Sequence, residues 1–128
     1  MPSTLITMGT AFVVLLFLML AVPLGASAGS ADAGKAIYTN ACAACHGDNG
    51  DGKGPVGATL QPPPRDFSKA DFALDTDGDG KKGTDADLVN VIKQGAAAYG
   101  GSLLMAPFAH LADSDVQDLI AYIRALGP

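Results

Sequence analysis

The stretch that decides the fold is Cys42-Ala43-Ala44-Cys45-His46, which holds both cysteines of the 128-residue chain. In an exported chain two cysteines can form a disulfide, and a Cys-x-x-Cys pair can also be a thioredoxin-like redox site. The redox site requires a preceding strand and a βαβ unit, and the sequence around the motif indicates neither. A zinc site requires about four ligands of this kind, and His110 is the one further candidate. The adjacent histidine, His46, therefore decides between these interpretations.

Cys-x-x-Cys-His is the attachment signature of haem c. Each thiol of Cys42 and Cys45 can add to one vinyl group of the haem, and the imidazole of His46 can then bind the iron. The other imidazole nitrogen needs a hydrogen-bond acceptor that fixes the tautomer and the orientation of the ring. The motif therefore predicts one covalently bound haem c with His46 as an axial ligand.

The second axial ligand determines what such a haem can do. A methionine thioether closes the iron coordination and suits electron transfer, whereas an open position allows catalysis or gas binding. Met105 is the one methionine after residue 28, and it lies in the loop Leu103-Leu104-Met105-Ala106-Pro107-Phe108 before an amphipathic segment. The sequence predicts ligation by Met105. The alternatives are a methionine that only fills the core and ligation by His110, which otherwise is an ordinary loop histidine.

The start of the chain differs in composition from the rest. All 8 Lys and Arg residues and all 13 Asp residues lie in the region 29–128, and the chain has no Glu. The apolar run Ala11–Leu20 and the small residues Ala26-Ser27-Ala28 form the pattern of a secretory signal and its cleavage site. An uncleaved anchor is the alternative, because Leu5–Leu24 has about the 20 apolar residues that a membrane span requires. Both interpretations predict export to the periplasm or an equivalent compartment, with residues 1–28 as signal or anchor.

The net charge of −5 lies entirely on the predicted domain, residues 29–128. Such an acidic domain is unsuited to nucleic acid, whose phosphates require a basic face. It suits attraction to redox protein partners with basic docking patches. Membrane contact is expected only if the first segment stays uncleaved. The whole chain has 5 Phe, 3 Tyr and no Trp, and a small domain this poor in bulky side chains usually requires a cofactor to complete its core.

The apolar periodicity predicts an all-α domain with long loops and no strand. Thr84 is expected to cap the second helix, with Asp87 as its capping-box partner. The glycine-rich segments 47–57 and 75–83 are expected to be loops. The predicted helices are Ala31–Ala44, Asp85–Gln94 and Ser114–Leu126.

These features together resemble the class I cytochromes c over about Ala31–Leu126. The matching residues, in the order of the family, are Gly34, Tyr38, Cys42-x-x-Cys45-His46, Gly54-Pro55, Met105-x-Pro107-Phe108, Leu111-x-Asp113 and Tyr122. The resemblance implies a small cytochrome c fold, in which three main helices and long loops surround one covalent haem. It also implies that the first and last helices cross closely, with Gly34 permitting the approach and Tyr38 and Tyr122 packed around it.

The resemblance implies further roles for single residues. The carbonyl of Pro55 would accept a hydrogen bond from His46, and Arg65 would contact a haem propionate. The alternative for Arg65 is an exposed ion pair with Asp66. The implied function is one-electron transfer between redox proteins rather than catalysis. Two alternatives stay open: a cytochrome subunit anchored in a larger redox complex, and a haem enzyme or gas-binding protein with an open distal site.

Two segments depart from the family pattern. Where the family commonly has Ser or Thr before the last helix, this chain has Ala112, so the N-cap is expected to shift to Asp113 or Ser114. The segment Asp75-x-Asp77-x-Asp79-Gly80 resembles the opening of an EF-hand calcium loop. Ala86 occupies the position of the bidentate Glu, so that Asp85 or Asp87 would have to substitute for it. Two lysines in this loop would also oppose a cation. A solvated acidic loop is therefore favoured over a weak calcium site.

Overall fold

The computed structural model describes residues 28–128, and every regular element in this range is helical. Short 3-10 turns separate the longer helices at Gly57–Thr59, Phe67–Lys69 and Ala96–Tyr99. The all-α prediction is therefore confirmed. The four α-helices are α1 (Ala31–Ala41), α2 (Ala43–His46), α3 (Asp85–Gln94) and α4 (Asp113–Ala125).

The predicted signal or anchor segment falls almost wholly outside the described residues. Within residues 28–128, no helix combines the length and the apolar character that crossing a membrane requires.

The predicted first helix is two helices in the structure. The hydroxyl of Ser30 accepts a hydrogen bond from the Ala33 N–H at 3.3 Å, and this cap starts α1. The helix ends at Cys42, where φ of −120° departs from the helical value. The short α2 then carries Cys45 and His46. The prediction of one helix over Ala31–Ala44 was wrong at this point, because local apolar periodicity does not report a single residue that leaves helical geometry.

Helices α1 and α4 cross at the contact that the family resemblance implied. The backbone of Gly34 lies against the backbone of Asp118, and a Cβ at Gly34 would overlap the Asp118 carbonyl. The rings of Tyr38 and Tyr122 meet edge to face with their centroids 5.1 Å apart. The buried hydroxyl of Tyr38 donates to the Gly47 carbonyl at 2.8 Å, which joins α1 to the loop after the haem motif. The predicted close crossing is confirmed.

One core joins all four α-helices. Most of the buried side chains of this core come from α3 and α4. Burial of a large apolar side chain contributes about 1.5–3 kcal/mol to stability. The buried members are Tyr38, Ala43, Phe67, Leu88, Ile92, Val116, Leu119, Ile120 and Ile123.

The start of α3 follows its predicted capping box. The Thr84 hydroxyl accepts from the Asp87 N–H, and the Asp87 carboxylate accepts from the Thr84 N–H. The same carboxylate accepts from the backbone and the hydroxyl of Thr76, and Asp87 is only 1% exposed. These hydrogen bonds, led by the Thr76 N–H, hold the pKa of Asp87 well below its usual range. Asp87 therefore fastens the acidic loop to α3.

The start of α4 differs from the prediction. The N-cap residue is Ala112, which offers no side-chain hydrogen bond, and α4 begins at Asp113. The expected shift of the cap to Asp113 or Ser114 was wrong, because Asp113 already has helical geometry. Its carboxylate instead lies 2.9 Å from the Lys93 ammonium. Acidic side chains in the first turn of α4, Asp113 and Asp115, interact favourably with the helix dipole.

Candidate haem site

A cavity of about 450 Å³ lies among α1, α2, α3 and the loop that precedes α4. Its walls include Cys42, Cys45, His46 and Met105, the residues that the sequence assigned to haem attachment and iron ligation. Most of the other walls are apolar, and the volume is typical of cofactor sites. The fold thus brings one thioether to the same apolar cavity as the Cys-x-x-Cys-His motif.

The two cysteines are free thiols at partly buried positions. Burial, and to a lesser extent the proximity of Cys45, raises the pKa of the Cys42 thiol to about 11. A thioredoxin-type nucleophile requires a lowered pKa, and a βαβ unit is absent from residues 28–128. The thioredoxin-like alternative is therefore not supported.

The imidazole of His46 is held from two sides. Its ring stacks on that of Phe67, with the centroids 4.4 Å apart and the planes 14° from parallel. Its Nδ1 lies 3.2 Å from the Arg65 carbonyl, so that an Nδ1–H donates and Nε2 keeps its lone pair. Burial lowers the pKa of His46 and favours the neutral ring, which is the form that binds a metal.

The acceptor for His46 is therefore the carbonyl of Arg65, and the prediction of Pro55 is corrected. The backbone around Pro55 is used to close α2 instead. The Gly54 N–H donates to the Cys45 carbonyl at 3.1 Å, and the Val56 N–H donates to the Ala44 carbonyl at 2.9 Å. The segment that contains Arg65 passes the ring of His46 in its place.

Arg65 is one of the residues around the cavity, and its side chain is weakly held. Its Nη1 lies 3.5 Å from the Asp71 carboxylate, and both side chains are more than half exposed. Such an exposed ion pair contributes little to stability. The alternative pairing of Arg65 with Asp66 was wrong, because Asp66 accepts from Ser68 and lies 2.9 Å from the Lys69 ammonium.

The backbone of Met105 is attached to the end of α3. The Ala96 N–H donates to the Met105 carbonyl at 3.2 Å, immediately after Gly95 ends the helix. Gly95 has φ of +80°, and a Cβ there would lie 3.0 Å from the same carbonyl. A left-handed residue without a side chain is therefore required at this contact. His110 is exposed and is not among the cavity-lining residues, so its ligation is not supported.

These residues fit a covalently bound haem c. One mainly apolar cavity holds two thiols that can form thioethers, an imidazole and a thioether sulfur. Because the imidazole uses Nδ1 for its hydrogen bond, its Nε2 is left to bind iron. An exposed arginine at the same cavity offers a cation for a carboxylate.

The acidic loop brings together two of the three predicted carboxylates, and Asp87, a possible substitute for the missing Glu, is the third member. Carboxylate oxygens of Asp75, Asp77 and Asp87 lie within 4.8 Å of one another, and Asp79 is not in the group. Asp75 already accepts from the N–H groups of Gly78 and Gly80 at 2.7 and 2.9 Å. Asp75 thus helps to shape the loop through its backbone, and the choice between a solvated loop and a weak calcium site stays a prediction.

Sequence reasoning missed two contributions to the site. No contact between Phe67 and His46 was predicted, although the domain has so few aromatic residues that a core position was to be expected for Phe67. The Arg65 carbonyl gave no signal in the sequence, because every residue has a backbone carbonyl that could accept from His46.

The fold and the site define an all-helical domain built to hold a covalent haem. The chain belongs to the cytochrome c family, whose sequence model, described as "Cytochrome c", matches residues 31–127. Members of this family carry covalent haem c and transfer electrons.

Two relatives show where similar domains occur. The chain is 33% identical over 99 residues to the "Cbb3-type cytochrome c oxidase subunit FixPc" of Rhizobium leguminosarum bv. viciae, a match that covers 77% of this chain and 29% of that protein. It also resembles a chain of the "Kuenenia stuttgartiensis reducing HAO-like protein complex Kustc0457/Kustc0458", with 26% identity and a TM-score of 0.63. That match covers 75% of this chain and 42% of the other. The chain therefore spans less than half the length of either relative.

Proposed function

We propose that this chain is an exported monohaem cytochrome c that carries single electrons between redox proteins, with His46 and Met105 as the axial ligands. The observation that carries the proposal is the meeting of Met105 with the Cys-x-x-Cys-His motif at one apolar cavity. A haem with histidine and methionine ligands has a raised potential and no open position, which suits electron transfer.

Each side chain of the site has a distinct task in this proposal. Cys42 and Cys45 hold the haem through thioethers, and Arg65 pairs with a propionate in place of its weak contact to Asp71. When bound, the haem supplies an iron that alternates between the ferric and ferrous states. The Arg65 carbonyl and the Phe67 ring keep the imidazole of His46 in one orientation throughout. Ligands that do not move keep the structural change on electron transfer small.

The test is an optical spectrum of the purified protein, ferric and ferrous, with and without carbon monoxide. We expect a haem c spectrum with the weak ferric methionine–iron charge-transfer band, and no change of the ferrous spectrum with carbon monoxide. A haem c spectrum without that band, together with carbon monoxide binding, would instead support the haem enzyme or gas-binding protein. A protein purified without haem would refute both.

A second candidate is a cytochrome subunit held permanently in a larger redox complex. The relative supports this candidate because it is described as a subunit of a cytochrome c oxidase, and this chain matches 29% of its length. The discriminating observation is whether the native protein, extracted in mild detergent, stays with membranes and other redox proteins or separates from them. Separation as a single small cytochrome would favour the mobile carrier.

The acidic side chains of the domain are expected to surround the cavity at a distance, because none of the exposed residues that line it is acidic. The residues that both line the cavity and are exposed carry one charge, on Arg65, and no carboxylate. Leu103 and Leu104 beside Met105 are 86% and 53% exposed. The exposed residues that line the cavity are Pro62, Pro63, Arg65, Leu104 and Ala106.

The net charge of −5 outweighs the single charge of Arg65, so ionic strength is expected to change the reaction rates with charged reagents in opposite directions. Raising the salt concentration should slow electron exchange with hexaammineruthenium, a cation, and accelerate exchange with hexacyanoferrate, an anion, by up to about tenfold. The measurement is stopped-flow kinetics of both reactions over a series of salt concentrations. Rates that are independent of salt for both reagents would contradict steering by the acidic surface.

A further inference from the structure

Lys93, in the last turn of α3, has its ammonium at the junction before α4. Its Nζ donates to the Leu111 carbonyl at 2.7 Å and lies 2.9 Å from the Asp113 carboxylate. The side chain of Lys93 is 25% exposed, whereas that of Asp113 is 91% exposed. The contact to the carbonyl is therefore the more protected of the two, and the exposed ion pair adds little.

This contact completes the attachment of a segment that we term the Met105 strap, residues 105–111. The Ala96 N–H holds the Met105 carbonyl at the start of the strap. The Phe108 N–H donates to the Ile92 carbonyl at 2.8 Å near its middle. Lys93 holds the end of the strap. All three attachments come from the C-terminal end of α3 or from Ala96, the second residue beyond it, but only the last is made by a side chain.

The missing cap of α4 makes this attachment more important. Ala112 provides no side-chain hydrogen bond at the start of α4, so the ordinary capping contact does not fix the chain after the strap. The Lys93 ammonium instead binds both the residue before Ala112 and the residue after it. The long aliphatic stem of a lysine can lie along apolar surface while its ammonium reaches such a carbonyl.

We propose that Lys93 is a positioning residue for the second axial ligand. By fastening the end of the Met105 strap to α3, it keeps the thioether of Met105 at the cavity and lowers the frequency with which the sulfur leaves the iron. The proposal rests on the proposed function, in which Met105 is that ligand.

Replacement of Lys93 by methionine tests the proposal, since it keeps a flexible stem and removes the ammonium. External cyanide can bind the ferric iron only when the Met105 sulfur is away, so its binding rate reports how often the strap opens. We expect K93M to bind cyanide about tenfold faster than the unmodified holoprotein, as expected for the loss of a hydrogen bond from a charged donor. The variant K93R, which keeps a cationic donor, should restore most of the slow rate.

The matched control is Lys69→Met. Lys69 also pairs with a carboxylate, at 2.9 Å from Asp66, but it is 79% exposed and belongs to the 3-10 turn Phe67–Lys69. We expect K69M to bind cyanide at the unmodified rate. If K93M and K69M bind cyanide equally fast, the proposal is overturned, even if K93M unfolds at a lower temperature.

Two further measurements distinguish a failure of the role of Lys93 from a failure of Met105 ligation. If K93M does not yield holoprotein, the milder K93Q should still bind cyanide severalfold faster than D113N, which removes only the exposed ion pair. Equal rates for K93Q and D113N would overturn the proposal. If the unmodified protein lacks the methionine–iron charge-transfer band, Met105 ligation itself is refuted. A normal band together with an unchanged rate in K93M refutes the role of Lys93 alone.

Discussion

Replacement of Met105 by alanine is expected to convert a closed haem into one that binds carbon monoxide in the ferrous state. Alanine would remove the sulfur ligand that we propose for the iron, and the loop has no second thioether to replace it. The reduction potential should fall by on the order of 0.2 V, because axial ligands set haem potentials over a range of about 0.8 V. The measurements are a redox titration and a carbon monoxide difference spectrum of the purified variant.

The control for this experiment is Leu103→Ala on the same loop. Leu103 is 86% exposed and is not among the cavity-lining residues, so its truncation should change neither the potential nor the response to carbon monoxide. An M105A protein that keeps the potential of the unmodified protein and excludes carbon monoxide would show that another group closes the iron. His110, the one other histidine, would then have to be tested in the same way.

Local signals in the sequence were sufficient for α3 and for the attachment motif. Thr84, Asp87 and Gly95 lie within or next to the helix that they delimit, and each acts through hydrogen bonds to nearby backbone. The helix therefore has the predicted bounds. In the same way, Cys42 and His46 belong to one short motif, whose chemistry depends on spacing alone.

Contacts between distant segments could not be predicted from the sequence. The bond between His46 and the Arg65 carbonyl depends on the path of a loop, and a backbone carbonyl has no residue-specific signal. The contact of Lys93 with Leu111 likewise depends on how α3 and α4 pack. The resemblance to a family supplied the crossing of α1 and α4, but it suggested the wrong carbonyl at Pro55. The family resemblance thus predicted the helix packing correctly, but it did not predict the hydrogen bond from this chain's loop to His46.

Replacement of Gly34 by alanine is expected to destabilise the holoprotein by about 2 kcal/mol, the scale of overpacking in a rigid contact. A Cβ at Gly34 would overlap the Asp118 carbonyl and would lie 2.9 Å from the Leu119 N. These are backbone atoms of α4 and cannot rotate aside as a flexible side chain would. Helices α1 and α4 would therefore have to separate, which loosens the core around Tyr38. The measurement is guanidinium unfolding of the ferric protein, followed by absorbance and circular dichroism.

The sign of this change distinguishes packing from helix propensity. In an exposed helix interior, alanine is more favourable than glycine by about 1 kcal/mol, so propensity alone would make G34A more stable. The variant Ala36→Gly, at an exposed position of the same helix, measures that propensity directly and should lose about 1 kcal/mol. If G34A were instead stabilised by the amount that A36G loses, α1 and α4 could not be in close backbone contact at Gly34. A loss of stability in both variants is the result expected from that contact, because opposite substitutions in one helix cannot both be unfavourable through propensity.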